Sequence, residues 1–314
     1  MTKRLTEDAH GVYIISATPF TDAGELDLSS ADRLVDFYLE KGITGMTVLG
    51  MMGEAPKLAP DESVTFLKHM LKRVAGQIPV IVGVSSPGLD NMARLCRSSM
   101  EAGAAGVMIA PAAGLTTEDR LHAYFIQVFE RLGPDIPVCY QDFPMTTGVH
   151  ISAKLFNQMV RDFPQLVMLK HEDWPGLNKL TAVRNLESDT STRRVSILTG
   201  NGGLFLPMEL ERGADGAMTG FAYPEMLIKV VELYRIGDRQ AANDIFDAYL
   251  PLVRHEQQLG AGLAIRKEIL RRRGVITGAA TRAPSPKLSK ADHDDISFLT
   301  SRLEKRLEEI GHGS

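Results

Sequence analysis

The stretch VMLKHEDW, residues 167–174, opens as a buried β-strand and then sets a lysine where the apolar run stops. Leu166 extends the run, so Leu166-Val167-Met168-Leu169 leads straight into an ammonium group. A strand that is apolar on both of its alternating faces is what a parallel sheet covered on both sides requires. A solvated strand end accounts for a lysine there as readily as chemistry does. The meaning of Lys170 therefore depends on the pattern around it.

That pattern repeats. Segments 12–20 (VYIISATPF), 45–50 (GMTVLG), 78–85 (IPVIVGVS), 105–112 (AGVMIAPA), 136–144 (IPVCYQDFP), 166–172 (LVMLKHE), 195–201 (VSILTGN) and 215–222 (DGAMTGFA) are short, apolar and rich in β-branched and small residues. Between them lie helical patterns. In SSADRLVDFYLEKG (29–42), Ser29 or Ser30 is placed to cap and Gly42 to stop the helix. PDESVTFLKHMLKRVAG (60–76) begins with proline and acids and ends with Lys72 and Arg73, which suits the helix dipole. The segment around GLNKLTAVRN (176–185) carries a weaker helical signal. Eight strand–helix units predict an α/β chain folded as a (β/α)8 TIM barrel over residues 8–236. No GxGxxG follows the first strand, which argues against a dinucleotide-binding sheet. Residues 237–314 hold helical patterns only, joined by the linker GVITGAATRAPSPKLS (274–289), and predict a C-terminal helical segment packed on the barrel. Ser289 and Asp292 form a capping box for its last helix.

Composition narrows the function. The chain has 314 residues, 44% hydrophobic and 24% charged, with a net charge of −4, so neither nucleic acid nor an anionic membrane is an expected partner. Its two cysteines, Cys96 and Cys139, form no metal-ligand or redox motif, and a reducing, cytoplasmic setting is expected. The N-terminal MTKRLTEDAHG lacks the apolar core of a signal peptide, and no apolar run approaches the ~18 residues of a membrane helix.

In a (β/α)8 barrel, chemistry collects at the C-terminal ends of the strands. Lys170 is the one lysine or arginine among those ends. Burial among apolar walls disfavours the ammonium form, and a neutral amine adds to a ketone or aldehyde to give a Schiff base. The iminium then draws electrons from the neighbouring carbon, which supports aldol chemistry or β-elimination of water without metal, nucleotide or other cofactor. An amine splayed into solvent or locked in a tight ionic pair would lack this reactivity. The turn Gly50-Met51-Met52-Gly53 is spaced to let backbone N–H groups approach an anion. A 2-keto acid offers a carbonyl to the lysine and a carboxylate to that turn. Gly200, Gly202, Gly203 and Gly220, with Asn201 between them, are expected to leave room for a bound ligand.

The order ATPF, GxxGE after the second strand, a Tyr…Pro fifth strand, a lysine ending the sixth and TGNGG after the seventh resembles the dihydrodipicolinate synthase/N-acetylneuraminate lyase superfamily across residues 10 to 305. The resemblance implies a class I lyase, an aldolase or dehydratase, with Lys170 forming the imine with a pyruvate-derived or 2-keto-3-deoxy sugar acid. It also implies a homo-oligomer, dimer or tetramer. Departures accompany it. Met51 and Met52 stand where the family often has hydroxyl residues. The family's acid/base tyrosine lies three residues before a proline, and counting back from Pro144 reaches Gln141. Either a one-residue bulge brings Tyr140 to the site, or Gln141 replaces it; the ungapped spacing favours Gln141, which does no acid/base work. Asp142, His171 or a substrate group would then move protons. Thr146 replaces the synthase's carboxylate-binding arginine, and Ala112-Ala113 replace its tyrosine pair. A true dihydrodipicolinate synthase is therefore not expected, and a keto-acid-binding relative that has lost catalysis is the alternative. Glu54 reads as an anchor for its own loop, bonding backbone N–H groups. His171 should point away from the lysine, and Glu172 back towards it if the strand persists.

Overall fold

The computed structural model describes residues 3–189 and 192–311. Residues 1–2 of the polar N-terminus and 312–314 of the expected helical segment lie outside them. Eight parallel strands close into one barrel: β1 Gly11–Ile15, β2 Gly45–Val48, β3 Val80–Gly83, β4 Gly106–Ile109, β5 Val138–Asp142, β6 Leu166–His171, β7 Ser196–Thr199 and β8 Gly216–Thr219. β8 pairs back onto β1, Gly216 opposite Gly11. The expected strands run further than the observed ones at their C-terminal ends, where the chain leaves the ladder to build loops.

The sequence pattern follows from two apolar layers. Inside the barrel, Tyr13, Ile15, Ile81, Met108, Cys139, Met168, Leu198 and Met218 pack into one cluster, joined by Leu5 at the start of β4. Outside it, alternate residues such as Tyr140 on β5 and Leu169 on β6 pack against the helices. Both faces of every strand are thus covered, which is why the strands read as unbroken apolar runs.

The surrounding helices are α1 Leu28–Lys41, α2 Pro60–Val74, α3 Leu89–Glu101, α4 Glu118–Leu132, α5 Pro144–Thr147, α6 Ala153–Asp162, α7 Leu177–Asp189, α8 Leu206–Glu211 and α9 Pro224–Arg235. The cap of α1 is Asp27, whose carboxylate accepts from the Ser30 N–H at 2.9 Å; neither Ser29 nor Ser30 caps it. α7 forms despite its weak pattern. It buries Leu180 and Val183, while Arg184 bonds Glu187 and Asp215. α10 Arg239–Glu256, α11 Gly262–Arg272 and α12 Lys290–Glu309 follow, with the Ser289/Asp292 box capping α12.

The linker before α12 is stitched to the barrel. Glu54, just past the Gly50–Gly53 turn and 2% exposed, accepts from Lys267 Nζ on α11 at 2.6 Å. It also accepts from Lys57 Nζ at 3.1 Å and the Arg282 N–H at 2.9 Å. Lys267 is fully buried and also donates to the Ala280 carbonyl at 2.8 Å. Burial pulls its ammonium down to about 8, against the opposing pull of Glu54. Glu54 is therefore an anchor, but for the C-terminal segment as well as its own loop.

Glu209, on α8, is a second buried carboxyl. Burial pushes it up to about 7, against the Thr199 hydroxyl and the His171 ring, and its Oε2 has no hydrogen-bond partner among the described residues.

Two outcomes follow. Glu54→Ala strands a buried ammonium and should lower unfolding stability by about 3–5 kcal/mol, read from denaturant midpoints. For Glu209, the folded value lies above its ordinary 4.5, so its contribution is full below pH 4.5 and is lost as pH rises through about 7. Glu209→Gln should flatten the stability–pH profile over that window. At pH 8 it should be more stable than wild type, by on the order of 3 kcal/mol at most.

Candidate active site

A cavity of about 70 Å³ opens at the C-terminal ends of the strands. Its floor and near walls come from Ile15, the Met51-Met52 turn after β2, and Gln141, Lys170 and Glu172 on β5 and β6. Asn201 and Thr219 border it from the loop after β7 and the end of β8. Phe143 and Gly202 also line it, and Gln257 and Arg266 reach it from the C-terminal segment.

Lys170 sits at the penultimate position of β6 and is 4% exposed. Its Nζ lies 2.9 Å from Glu172 Oε2. Side chains two apart on a strand share a face. Although β6 ends at His171, the Glu172 N–H still bonds the Asp142 carbonyl at 2.9 Å and carries the pairing one residue further. Glu172 thereby stays on the lysine's side. Gln141 pairs in register with Lys170 and donates from Nε2 to the same Glu172 oxygen at 2.8 Å. The amine is therefore not the solitary group the sequence implies: it is held in a close ionic pair with Glu172, the arrangement that lacks reactivity unless the carboxylate takes up the amine's proton.

The choice between Tyr140 and Gln141 falls to Gln141. The register of β5 against β6 does shift, between Val138 and Cys139, yet Tyr140 pairs with Leu169 and faces outwards. Its ring packs 5.1 Å from Phe125 and 6.1 Å from Phe156. Burial drives its hydroxyl well above the ordinary tyrosine range, and the oxygen has no partner among the described residues. Tyr140 is part of the barrel–helix core. Of the other proton carriers considered, Asp142 and His171 also point away from the bore. His171 Nε2 lies 3.0 Å from the Gly176 carbonyl, and Asp142 meets Lys179 at 2.5 Å.

Met51 and Met52 line the cavity, and Met52 also rests on the inner apolar cluster. The Gly53 N–H is spent on the Gly50 carbonyl at 3.0 Å and the Glu54 N–H on the Met51 carbonyl, and neither Gly50 nor Gly53 lines the cavity. An anion at this turn would meet the Met51 and Met52 amides. Thr18 Oγ1 fixes the turn from below by donating to the Gly53 carbonyl at 2.6 Å. Thr146 is exposed on α5, away from the cavity lining. Asn201 does line it, and its amide bonds the Glu172 carbonyl at 3.3 Å.

The glycines make room for the protein's own groups. A Cβ on Gly200 would fall 2.3 Å from Glu172 Cγ, and one on Gly220 would fall 1.8 Å from Arg266 Nη1. Their smallness admits the Glu172 and Arg266 side chains, while Gly202 borders the cavity itself. Gln257 and Arg266 have no sequence signal of their own, since only long-range packing brings them to the bore. Glu172 was legible only on the condition that the strand persisted.

Comparison with known proteins agrees with this architecture. The model of the dihydrodipicolinate synthetase family matches residues 8–302. The chain is 30% identical over 308 residues to an L-2-keto-3-deoxyarabonate dehydratase of Azospirillum brasilense, covering 97% of each chain. It is 32% identical over 231 residues to a 4-hydroxy-tetrahydrodipicolinate synthase of Thermus thermophilus, covering 73% of this chain and 75% of that one. A crystal structure described as dihydrodipicolinate synthase from Rhodopseudomonas palustris superposes with a TM-score of 0.94 at 49% identity, over 96% of this chain and all of that one. With a match over nearly its whole length and a closed eight-stranded barrel to support it, the chain belongs to the dihydrodipicolinate synthetase family.

Proposed function

We propose that the chain is a Schiff-base lyase that removes water from a 2-keto-3-deoxy sugar acid. The observation that carries this reading is the contact of Lys170 Nζ with Glu172 Oε2 at 2.9 Å, with Gln141 holding the same oxygen. The family and the Azospirillum dehydratase support it.

The chemistry runs through that contact. Transfer of a proton from Nζ to Oε2 frees the lone pair, which attacks the C2 carbonyl. Glu172 returns the proton to the carbinolamine hydroxyl, which leaves as water and gives the iminium. The iminium acidifies C3, whose proton moves to Glu172 and leaves an enamine. The enamine expels the C4 hydroxyl, which takes that proton and departs as water. Hydrolysis of the conjugated iminium releases the unsaturated keto acid and restores the amine. The net change is loss of one water from C3 and C4. A carboxylate suits the base role, whereas the Gln141 amide only donates and positions. Self-assembly into a dimer or tetramer and a cytoplasmic location complete the proposal. Half-exposed Trp174 and exposed Met208 border an apolar groove with Phe205 and Leu250 on the outer surface, which supports assembly. No helix among the described residues is long and apolar enough to cross a membrane.

Borohydride with a 2-keto acid should leave a reduced adduct on Lys170, seen by mass spectrometry and absent from Lys170→Ala. Glu172→Gln preserves shape and should lower kcat by about 10²–10⁴. Tyr140→Phe should leave kcat within about twofold, because the hydroxyl lies outside the bore. Adduct formation with no water loss across a panel of 2-keto-3-deoxy acids would make the chain a binding protein instead. Light scattering should give a multiple of the monomer mass, and a monomer would refute the assembly.

A further inference from the structure

Gln257 caps the C-terminal end of α10, is half-buried and borders the cavity that holds Lys170. Its backbone is fixed. Its N–H donates to the Val253 carbonyl at 3.1 Å, and the Gln258 carbonyl beside it accepts the Gly262 N–H at 2.9 Å. Its side chain lies over Gly202, where a Cβ would fall 2.1 Å from Nε2 and 2.6 Å from Cδ, so only a glycine there leaves the amide its place. The amide makes no hydrogen bond to any of the described residues, and neither of its polar atoms is sealed from solvent. The other polar side chains of the lining are engaged. Lys170, Gln141 and Glu172 hold one another, and Asn201 Nδ2 donates to the Glu172 carbonyl. Thr219 Oγ1 accepts the Gly202 N–H at 2.7 Å, and Arg266 Nε is bound to Glu256. Among the described residues that line the cavity, Gln257 is the one whose side chain has both its donor and its acceptor unspent.

We infer that Gln257 is a specificity-determining residue: its amide binds the C5 hydroxyl of the 2-keto-3-deoxy acid joined to Lys170. The inference rests on the reading of Lys170 and Glu172 given above. Three observations support it. The first is direction. β7 and β8 follow β6 around the barrel, while β2 lies across it. Water loss sets C3 and C4 against Glu172 on the β6 side, so the chain beyond C4 continues towards the loop after β7. There Asn201 bonds the Glu172 carbonyl and Gln257 rests on Gly202. The second is the division of the lining. Ile15, Met51, Met52 and Phe143 give an apolar wall, and a hydroxyl pressed against it would lose water without a partner. Gln257 stands on the polar side with Asn201 and Thr219. The third is the chemistry of the group. A neutral amide both donates and accepts, as a hydroxyl does, and brings no charge that asks for a carboxylate or a phosphate.

Two acids isolate the contact. 4,5-Dihydroxy-2-oxopentanoate and 4-hydroxy-2-oxopentanoate share the ketone, the carboxylate and the C4 leaving group, and differ in the C5 hydroxyl alone. The wild type should favour the dihydroxy acid by on the order of tenfold in kcat/KM for water loss. Gln257→Met keeps the length of the side chain and removes both polar atoms. It should bring that ratio to within about twofold of unity, through loss on the dihydroxy acid. Gln257→Ala should do the same, and it decides where Gln257→Met fails to fold. A wild type without the preference overturns the inference, as does a preference that survives in either variant. So does an equal loss on both acids, which is what a purely structural role would produce. If the wild type removes water from neither acid, the dehydratase reading fails, and Gln257 is judged by the same ratio of the concentrations that half-modify Lys170 under borohydride. If neither acid is trapped, the Lys170 chemistry fails as well, and thermal shifts judge Gln257. The dihydroxy acid should then raise the wild-type midpoint more than the monohydroxy acid does, and the excess should vanish in Gln257→Met. An equal rise in the wild type overturns the inference.

Discussion

The pleat of β6 is the constraint on which this site depends. Lys170 and Glu172 are two residues apart and share one face, while His171 between them is sent to the opposite side. Both side chains are buried, so neither charge is tenable alone. Removing one partner of a buried pair leaves the other unsolvated, at a cost that well exceeds the worth of a surface ion pair. Pairing continued by one N–H bond, from Glu172 to the Asp142 carbonyl, is what keeps the carboxylate turned inwards. Much of the local sequence serves that arrangement. Gly200 is bare so that Glu172 can fold over it, and Gln141 stands in register to hold its oxygen.

The barrel was legible because its physics is local and repeated. Strands covered on both faces must be apolar throughout, and eight such runs separated by helical patterns leave few alternatives. Helix ends were less so: Asp27 caps α1 because the chain turns earlier than the serines suggest. α7 gave a weak pattern because polar bonds of Arg184 contribute alongside its short apolar face. The site divides in the same way. Lys170 could be picked out, since a lysine ending a buried strand is conspicuous. The spacing to Pro144 pointed to Gln141, and the outward face of Tyr140 agrees. The solitude of Lys170 could not be judged, because it turned on whether the ladder ran one residue past the strand. For Gly200 and Gly220 the fold reveals that the bulky neighbours are Glu172 and Arg266, whereas Gly202 borders the cavity.

The C-terminal segment turned out to matter more than an appendage would. Consecutive residues on α11 face different tasks. Lys267 enters the Glu54 pair and ties the tail to the turn after β2, while Arg266 enters the Glu256 pair and reaches the cavity. Lys267 and Glu54 join tail to barrel by charge, whereas Arg266 and Glu256 pair within the tail, which meets the barrel there through the Ala222 N–H on Glu256.

One wall of the bore is thus supplied from far along the chain, by Gln257 and Arg266. A ribosome delivers the N-terminal parts first. Gln257 and Arg266 follow all eight strands in the chain, so the lining of the cavity around Lys170 is complete only when synthesis reaches the tail.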